Sequence, residues 1–140
     1  MKTLWLGLVI VACAIAESGC GVPCDPSDRV ISNGERWTAG ASRVYRTSGP
    51  EGPFLPFEGA TVIHLRHGLG VVPHRYQIQL AFTERPLQAG GGGSSFPAGN
   101  QVILQRVDAE EATFRNDSCA NYFIQITLEG NVVSDAGVSD

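Results

Sequence analysis

The chain is 140 residues long, has a formal net charge of −4, and contains ten Lys and Arg residues that form no run. This length is enough for one domain. Proteins bind nucleic acids through clustered Lys and Arg side chains. Because this chain has no such cluster, we expect no nucleic-acid partner.

The first 19 residues are typical of a signal peptide. Lys2 precedes an apolar stretch from Leu4 to Ala16, which has the length of a signal-peptide core and is too short to span a bilayer as a permanent helix. We therefore predict a signal peptide over residues 1–19 and export of the rest of the chain.

The cleavage position has three candidates. The segment ending at Ala16 matches the signature of ordinary signal peptidase, and the residues before Cys13 and before Cys20 resemble the lipobox of bacterial lipoproteins, in which the Cys becomes the lipidated first residue. Cleavage at Cys20 uses that thiol for lipid and leaves an even pair, Cys24 and Cys119. The other two cuts leave three thiols in an oxidising compartment.

Cysteine parity therefore favours a lipoprotein anchored at Cys20 to a membrane surface of the bacterial cell envelope, with secretion after cleavage at Ala16 as the alternative. Lipid on one residue tethers a domain without spanning the membrane. Cys24 and Cys119 are then predicted to form a disulfide that joins the start of the mature chain to its last third.

Alternation of apolar and polar residues recurs along the mature chain and predicts short strands. The clearest strands are residues 75–83 and 121–129, in which every second residue is apolar. Weaker candidates are 29–33, 35–38, 42–47, 60–66, 101–107 and 111–116. The predicted fold is all-β, a small antiparallel β-sandwich of seven to eight short strands, with no substantial helix after the signal peptide. The predicted sandwich domain covers residues 29–129, between a tether at 20–28 and a flexible tail at 130–140.

Two long loops interrupt the strand spacing. Residues 48–59 carry three prolines and three glycines, so we expect a turn-rich excursion that lies outside any sheet. Residues 88–100 contain four consecutive glycines. A glycine run can cradle phosphate where a helix follows it, but here a strand follows, which favours a flexible hairpin loop.

All three histidines lie within the stretch HLRHGLGVVPH, at His64, His67 and His74. Residues three apart on a strand project to opposite faces, so His64 and His67 share a metal only if the strand bends. A hairpin formed by residues 68–73 is the arrangement that would bring His74 back beside either of them. Zinc sites also require further protein ligands, and the sequence specifies none, so we expect neither a metal nor another cofactor.

Residues His67, Gly68, Leu69, Gly70 and Pro73 form the pattern H-G-L-G-x-x-P ahead of an alternating strand. This pattern resembles a turn that recurs in β-sandwich modules of phage tail fibres, and the later strand order is similar to that of H-type lectins. The resemblance covers roughly residues 60 to 129 and implies a compact binding or structural sandwich in which His67 helps to fix the turn. It carries over no sugar-binding residue.

The residues of this turn also make sense by themselves. Gly68 and Gly70 permit positive φ on either side of a buried Leu69, and Pro73 fixes φ before the next strand. A histidine at the edge of the turn can form hydrogen bonds with backbone groups that the loop leaves unpaired.

No catalytic constellation is visible, since the chain contains neither G-x-S-x-G nor H-E-x-x-H. The acidic cluster Asp108, Glu110 and Glu111 is interpreted as a solvated turn between two strands. Asn116 begins a glycosylation sequon, which a bacterial lipoprotein normally leaves unmodified.

Aromatic residues in loops or on the outer side of strands are the best candidates for ligand binding, and we single out Phe96 and Phe123. We also expect Trp37 and Tyr45 to belong to the core. The sequence thus predicts a non-catalytic binding or structural module whose ligand is a glycan or an envelope protein. The alternatives are a lectin-like carbohydrate-binding module and a metal-dependent hydrolase built on His64, His67 and His74.

Overall fold

The computed structural model describes residues 24–132, which form nine strands and no helix. The strands are β1 (Ser27–Ile31), β2 (Glu35–Ala39), β3 (Ser42–Arg46), β4 (Leu55–Phe57), β5 (Thr61–Arg66), β6 (Arg75–Ala81), β7 (Ile103–Val107), β8 (Glu111–Arg115) and β9 (Tyr122–Asn131). Within this part of the chain, no helix has the length and apolarity that crossing a membrane requires.

The strands form two sheets. The first has the order β1-β5-β8-β7, and the second is built around the long strand β9, which pairs with β3 and β4 along one edge and with β6 along the other. Strand β2 extends the second sheet beyond β3. The protein is therefore an all-β sandwich, as the alternation predicted.

The core lies between the inner faces of the two sheets. The second sheet supplies the alternate residues of β9, together with Tyr45 of β3 and Phe57 of β4, all nearly or fully buried. The first sheet supplies Ile63 and Leu65 of β5 opposite Phe114 and Ala112 of β8. Successive side chains of a strand point to opposite faces of the sheet, so on these strands the apolar residues face the core and the residues between them face outward.

All eight predicted strands are present, each displaced by no more than two residues at either end. Strand β1 begins at Ser27, inside the predicted tether, and β9 ends at Asn131, inside the predicted tail. One pair differs from the antiparallel expectation, since β1 runs parallel to β5. The intervening chain crosses to the other sheet as β2, β3 and β4, and such a long crossover permits parallel pairing.

The expectation that residues 48–59 lie outside any sheet is wrong, because Leu55–Phe57 pairs with β9 as strand β4. Proline is tolerated at this position because Pro56 sits on an edge. Its carbonyl accepts a hydrogen bond from Nη1 of Arg29 (3.2 Å), so its backbone groups point away from β9 and its missing N–H interrupts no ladder bond.

The predicted disulfide is present between Cys24 and Cys119, whose Cα atoms are 5.5 Å apart. It joins the start of the described chain to the loop between β8 and β9. The signal peptide, the three candidate cleavage positions, the lipidation residue Cys20 and residues 133–140 of the predicted tail lie outside the described residues.

Candidate binding surface

The residues of the H-G-L-G pattern form the turn between β5 and β6. Nδ1 of His67 accepts a hydrogen bond from the N–H of Leu69 (3.2 Å). Gly68 and Gly70 have φ of 56° and 67°, values that L side chains rarely adopt. Their N–H groups donate to the carbonyls of Glu110 and Ala109, at 3.0 and 2.9 Å, which ties the turn to the β7–β8 connection.

The structure places the three histidines in different environments. His67 is fully buried, while His64 is partly exposed and its Nδ1 is 3.4 Å from a carboxylate oxygen of Glu111. His74 is exposed, and its N–H donates to the carbonyl of Glu129. Among residues 24–132 no group of three or more His, Cys, Asp or Glu side chains is arranged to hold a metal ion.

Burial lowers the pKa of the His67 side chain below its usual value of 6.5, against the opposing influence of the Asp108 and Glu111 backbone and of nearby carboxylates. Because Nδ1 accepts a hydrogen bond, the ring proton resides on Nε2, and Nε2 has no hydrogen-bond partner among the described residues. His67 is therefore a neutral structural residue that supports the turn.

We expect folding stability to fall as the pH is lowered through the ordinary histidine range. Below about pH 6.5 the unfolded chain binds a proton at His67, whereas the folded chain does not until its lower pKa is reached. The slope that this residue adds is at most about 1.4 kcal/mol per pH unit. Urea unfolding at about pH 7.5 and about pH 5.5 measures the effect.

His67→Gln should remove that part of the pH dependence, and His64→Gln, which changes a partly exposed histidine, should retain it. Equal pH dependence in the wild type and in His67→Gln would contradict the assignment.

The predicted acidic turn lies between β7 and β8. Oδ1 of Asp108 accepts hydrogen bonds from the N–H groups of Glu110 (2.9 Å) and Glu111 (2.8 Å), and these bonds hold the pKa of its carboxyl below the usual value. The Asp108 carboxylate thus stabilises the turn whose carbonyls, those of Ala109 and Glu110, accept hydrogen bonds from Gly70 and Gly68.

The glycine-rich segment joins β6 of the second sheet to β7 of the first, so the expectation of a hairpin loop is wrong. Leu80 and Ser95 exchange two backbone hydrogen bonds, of 2.8 and 2.9 Å, and the hydroxyl of Thr83 donates to the carbonyl of Gly91. A Cβ on Gly91 would lie 2.2 Å from the carbonyl oxygen of Arg85, and Gly92 has a φ of 83°, so glycine is required at both positions.

This segment and β6 form a surface with two cavities. We call residues 75–82 and 91–101 the loop surface. The first cavity, of about 220 Å³, lies among Phe82, Gly92, Gly93, Ser95, Gln101 and Tyr122. The second, of about 440 Å³, lies among Arg75, Tyr76, Gln77, Ile78, Phe96 and Pro97.

The loop surface exposes three aromatic side chains. Phe82 is 81% exposed, Phe96 is 68% exposed and Tyr76 is 48% exposed. The interpretation of residues 75–83 as one strand assigns Tyr76 and Phe82 to the buried side, which is wrong for both. Strand β6 ends at Ala81, so Phe82 lies beyond it, and Tyr76 lies in the exposed first half of this edge strand, before Ile78 and Leu80 reach the core.

The other predicted aromatic residues have different positions. Phe123 is half-buried on the outer side of β9, between Pro56 of β4 and Ala81 of β6. Tyr45 belongs to the core as expected, but Trp37 is 40% exposed on the edge strand β2. Phe82 was not among the predicted binding residues, because its exposure depends on where β6 ends and periodicity does not mark that point.

Comparison of the chain with protein-family models, with characterised proteins and with solved structures finds no match.

Proposed function

We propose that the protein is exported, carries lipid on Cys20 and acts as a non-catalytic binding module at the bacterial cell envelope. The loop surface is its ligand-binding face. The observation that carries this proposal is the exposure of Phe82 and Phe96 beside two cavities, since protein surfaces that expose aromatic side chains next to a concave region are commonly binding sites.

Export is supported by two independent features. The N-terminal sequence has the charge and hydrophobicity of a signal peptide. The disulfide between Cys24 and Cys119 is of a kind that persists in oxidising compartments and is rare in the cytosol.

The lipid anchor is tested by expressing the full chain in a bacterium and measuring the intact mass of the membrane-extracted protein. We expect a mature chain that begins at Cys20 and carries acyl groups. Cys20→Ala should leave the membrane fraction, whereas Cys13→Ala should behave as the wild type. A mature chain that begins at Glu17 and carries no lipid would show that the protein is secreted and not anchored.

A second candidate function, carbohydrate binding, is favoured by the cavity beside Phe82. No charged side chain lines it. The Tyr122 hydroxyl accepts a hydrogen bond from Nε2 of Gln101 (3.1 Å) and retains its own proton to donate, and the Ser95 hydroxyl has no partner among the described residues. An exposed ring beside neutral donors and acceptors suits a neutral sugar, which presents C–H groups on its faces and hydroxyls on its edges.

A glycan array probed with the full chain tests this candidate. We expect Phe82→Ala to weaken binding about 5-fold, because a stacked ring contributes about 1 kcal/mol. Phe96→Ala and Phe123→Ala examine the two residues that the sequence singled out. Leu87→Ala, which truncates another exposed apolar side chain, serves as the control. Absence of binding to every glycan, or binding that Phe82→Ala leaves unchanged, would remove carbohydrate as the ligand.

A further inference from the structure

The side of the sandwich formed by β2, β3 and the turn after β5 holds two arginines whose charges are not neutralised. Of the arginines in the described chain, Arg46, Arg66, Arg75, Arg106 and Arg115 each have a carboxylate oxygen within 4.0 Å. Arg36 and Arg43 have none among residues 24–132, although the chain as a whole is acidic.

Both guanidinium groups are held by the backbone of the H-G-L-G turn. Arg36 donates to the carbonyls of His67 (2.6 Å) and Arg66 (3.2 Å), and Arg43 donates to the carbonyl of Leu69 (2.8 Å). Three carbonyls at the end of β5 and in the turn thus orient two cations from neighbouring strands.

Gly70 allows the close approach of Arg43, whereas a side chain at Gly68 would be in ordinary van der Waals contact with Arg36. A Cβ on Gly70 would lie 2.9 Å from Nη1 of Arg43, and a Cβ on Gly68 would lie 3.6 Å from Nε and Nη2 of Arg36. The Arg36 guanidinium also packs 5.3 Å from the centre of the buried Tyr45 ring. Packing of this kind restricts a long side chain and lowers the entropy lost when it binds a ligand.

A cavity of about 290 Å³ lies between these groups, lined by Arg36, Trp37, Arg43, Gly68 and Leu69 among others. Each guanidinium carries more N–H donors than the turn uses, and an arginine cannot be deprotonated under ordinary conditions. The remaining donors are accessible to a ligand, and no acidic side chain lines the cavity.

We propose that this cavity binds a phosphoryl group. Two guanidinium charges match the charge of a phosphate monoester, about −1.5 to −2 at neutral pH, and arginine forks form paired hydrogen bonds with phosphate oxygens. The site is independent of the loop surface and of the lipid anchor. The phosphoryl group belongs either to a soluble phosphorylated compound or to a phospholipid headgroup.

Glu110, whose carboxylate lies beside Gly68, provides a second variant for testing phosphate binding. Oε2 of Glu110 would lie 3.8 Å from a Cβ on Gly68, yet it forms no ion pair with Arg36. Glu110 therefore lowers the positive potential of the site without forming an ion pair in it. Glu110→Gln should tighten phosphate binding about 2-fold, the opposite direction from loss of an arginine.

The experiment is a titration of the full-length Cys20→Ala chain with inorganic phosphate at constant ionic strength, followed by the NMR shifts of the Gly68, Leu69 and Gly70 amides. We expect saturation with a Kd of about 1 mM. Arg43→Gln should weaken binding about 5-fold or more, because the site loses one of its two charges.

Arg29→Gln is the matched control, since Arg29 also donates to a carbonyl, that of Pro56, and has no carboxylate partner within 4.0 Å among the described residues. Its phosphate affinity should equal that of the parent. Acetate at equal ionic strength should give smaller shifts. Absence of saturable shifts, or equal weakening by Arg29→Gln and Arg43→Gln, would overturn the proposal.

Vesicle sedimentation with the same chain distinguishes the two sources of the phosphoryl group. Binding to vesicles containing phosphatidylglycerol, but not to pure phosphatidylcholine, that is lost in Arg36→Gln and Arg43→Gln supports a headgroup. Saturable phosphate binding without vesicle binding supports a soluble phosphorylated ligand.

Discussion

Loss of the Cys24–Cys119 disulfide is expected to lower the free energy of unfolding by about 4 kcal/mol. The bond spans 95 positions of sequence and closes nearly the whole described chain into one loop. A cross-link of this length removes a large part of the conformational entropy of the unfolded chain. The loss is large because a domain of this size has a total stability of only about 5 to 15 kcal/mol.

Urea unfolding with and without reductant measures the effect. We expect the reduced wild type and the Cys24→Ser/Cys119→Ser variant to unfold at the same urea concentration, well below the oxidised wild type. Reductant should not change the unfolding of the double variant. Superimposable transitions for the oxidised and reduced wild type would show that the cross-link does not contribute to stability.

The disulfide also constrains the two ends of the sandwich. Cys24 lies three residues before β1, which pairs with β5 at the edge of the first sheet, and Cys119 lies in the loop that leads into β9 of the second sheet. The cross-link therefore joins the edge of one sheet to the entrance of the central strand of the other. The same covalent bond would hold the domain close to an anchor at Cys20, only four positions before Cys24.

The strands could be predicted from the sequence because their signal is local. Every second residue of β9 from Tyr122 to Leu128 is buried, and this period is visible without knowing any partner. Strand β4 could not be predicted in this way, because it has only three residues, which is too short for a recognisable alternation, and one of them is Pro56. Its pairing depends on β9, which follows it by more than sixty positions.

The binding features could be predicted only in part, for the same reason. The H-G-L-G pattern predicts a turn, and the turn is present. That Arg36 and Arg43 converge on its carbonyls depends on contacts between residues 31 and 26 positions apart, which no spacing rule reveals. The exposure of Phe82 likewise depends on where pairing with β9 ends, at Ala81 opposite Phe123.

The role of Asn116 also depends on contacts with residues distant in the sequence. The sequon pattern beginning at Asn116 suggests an accessible amide, yet the side chain is fully buried. Its Nδ2 lies within hydrogen-bond distance of the carbonyls of Phe57 (3.3 Å), Glu58 (2.9 Å) and Ala120 (2.8 Å). Its Oδ1 accepts from the backbone N–H and the hydroxyl of Ser118, at 3.0 and 2.7 Å. One amide thus joins the end of β4 to the loop that carries Cys119.

Asn116→Ala is expected to destabilise the protein by about 3 kcal/mol or more, because it leaves several buried or partly buried backbone groups without partners. Asn100→Ala is the matched control. The Asn100 amide makes one exposed hydrogen bond, to the carbonyl of Asp117 (3.0 Å), so its loss should cost no more than about 0.5 kcal/mol. Chemical denaturation of the three proteins measures both differences.

Asn116→Asp separates loss of donors from loss of volume, because the two side chains have nearly the same shape. An ionised carboxylate cannot donate to the carbonyls that now accept from Nδ2, and burial together with those carbonyls should raise its pKa in the folded state. A raised pKa means that the folded chain binds the proton more tightly than the unfolded chain does. Stability is then retained below the ordinary carboxyl range and lost as the pH rises through the folded-state value. We therefore expect Asn116→Asp to be strongly destabilised near neutral pH and to recover toward the wild type as the pH is lowered. Stability of Asn116→Asp equal to that of the wild type at every pH would instead indicate that the amide acts through packing alone.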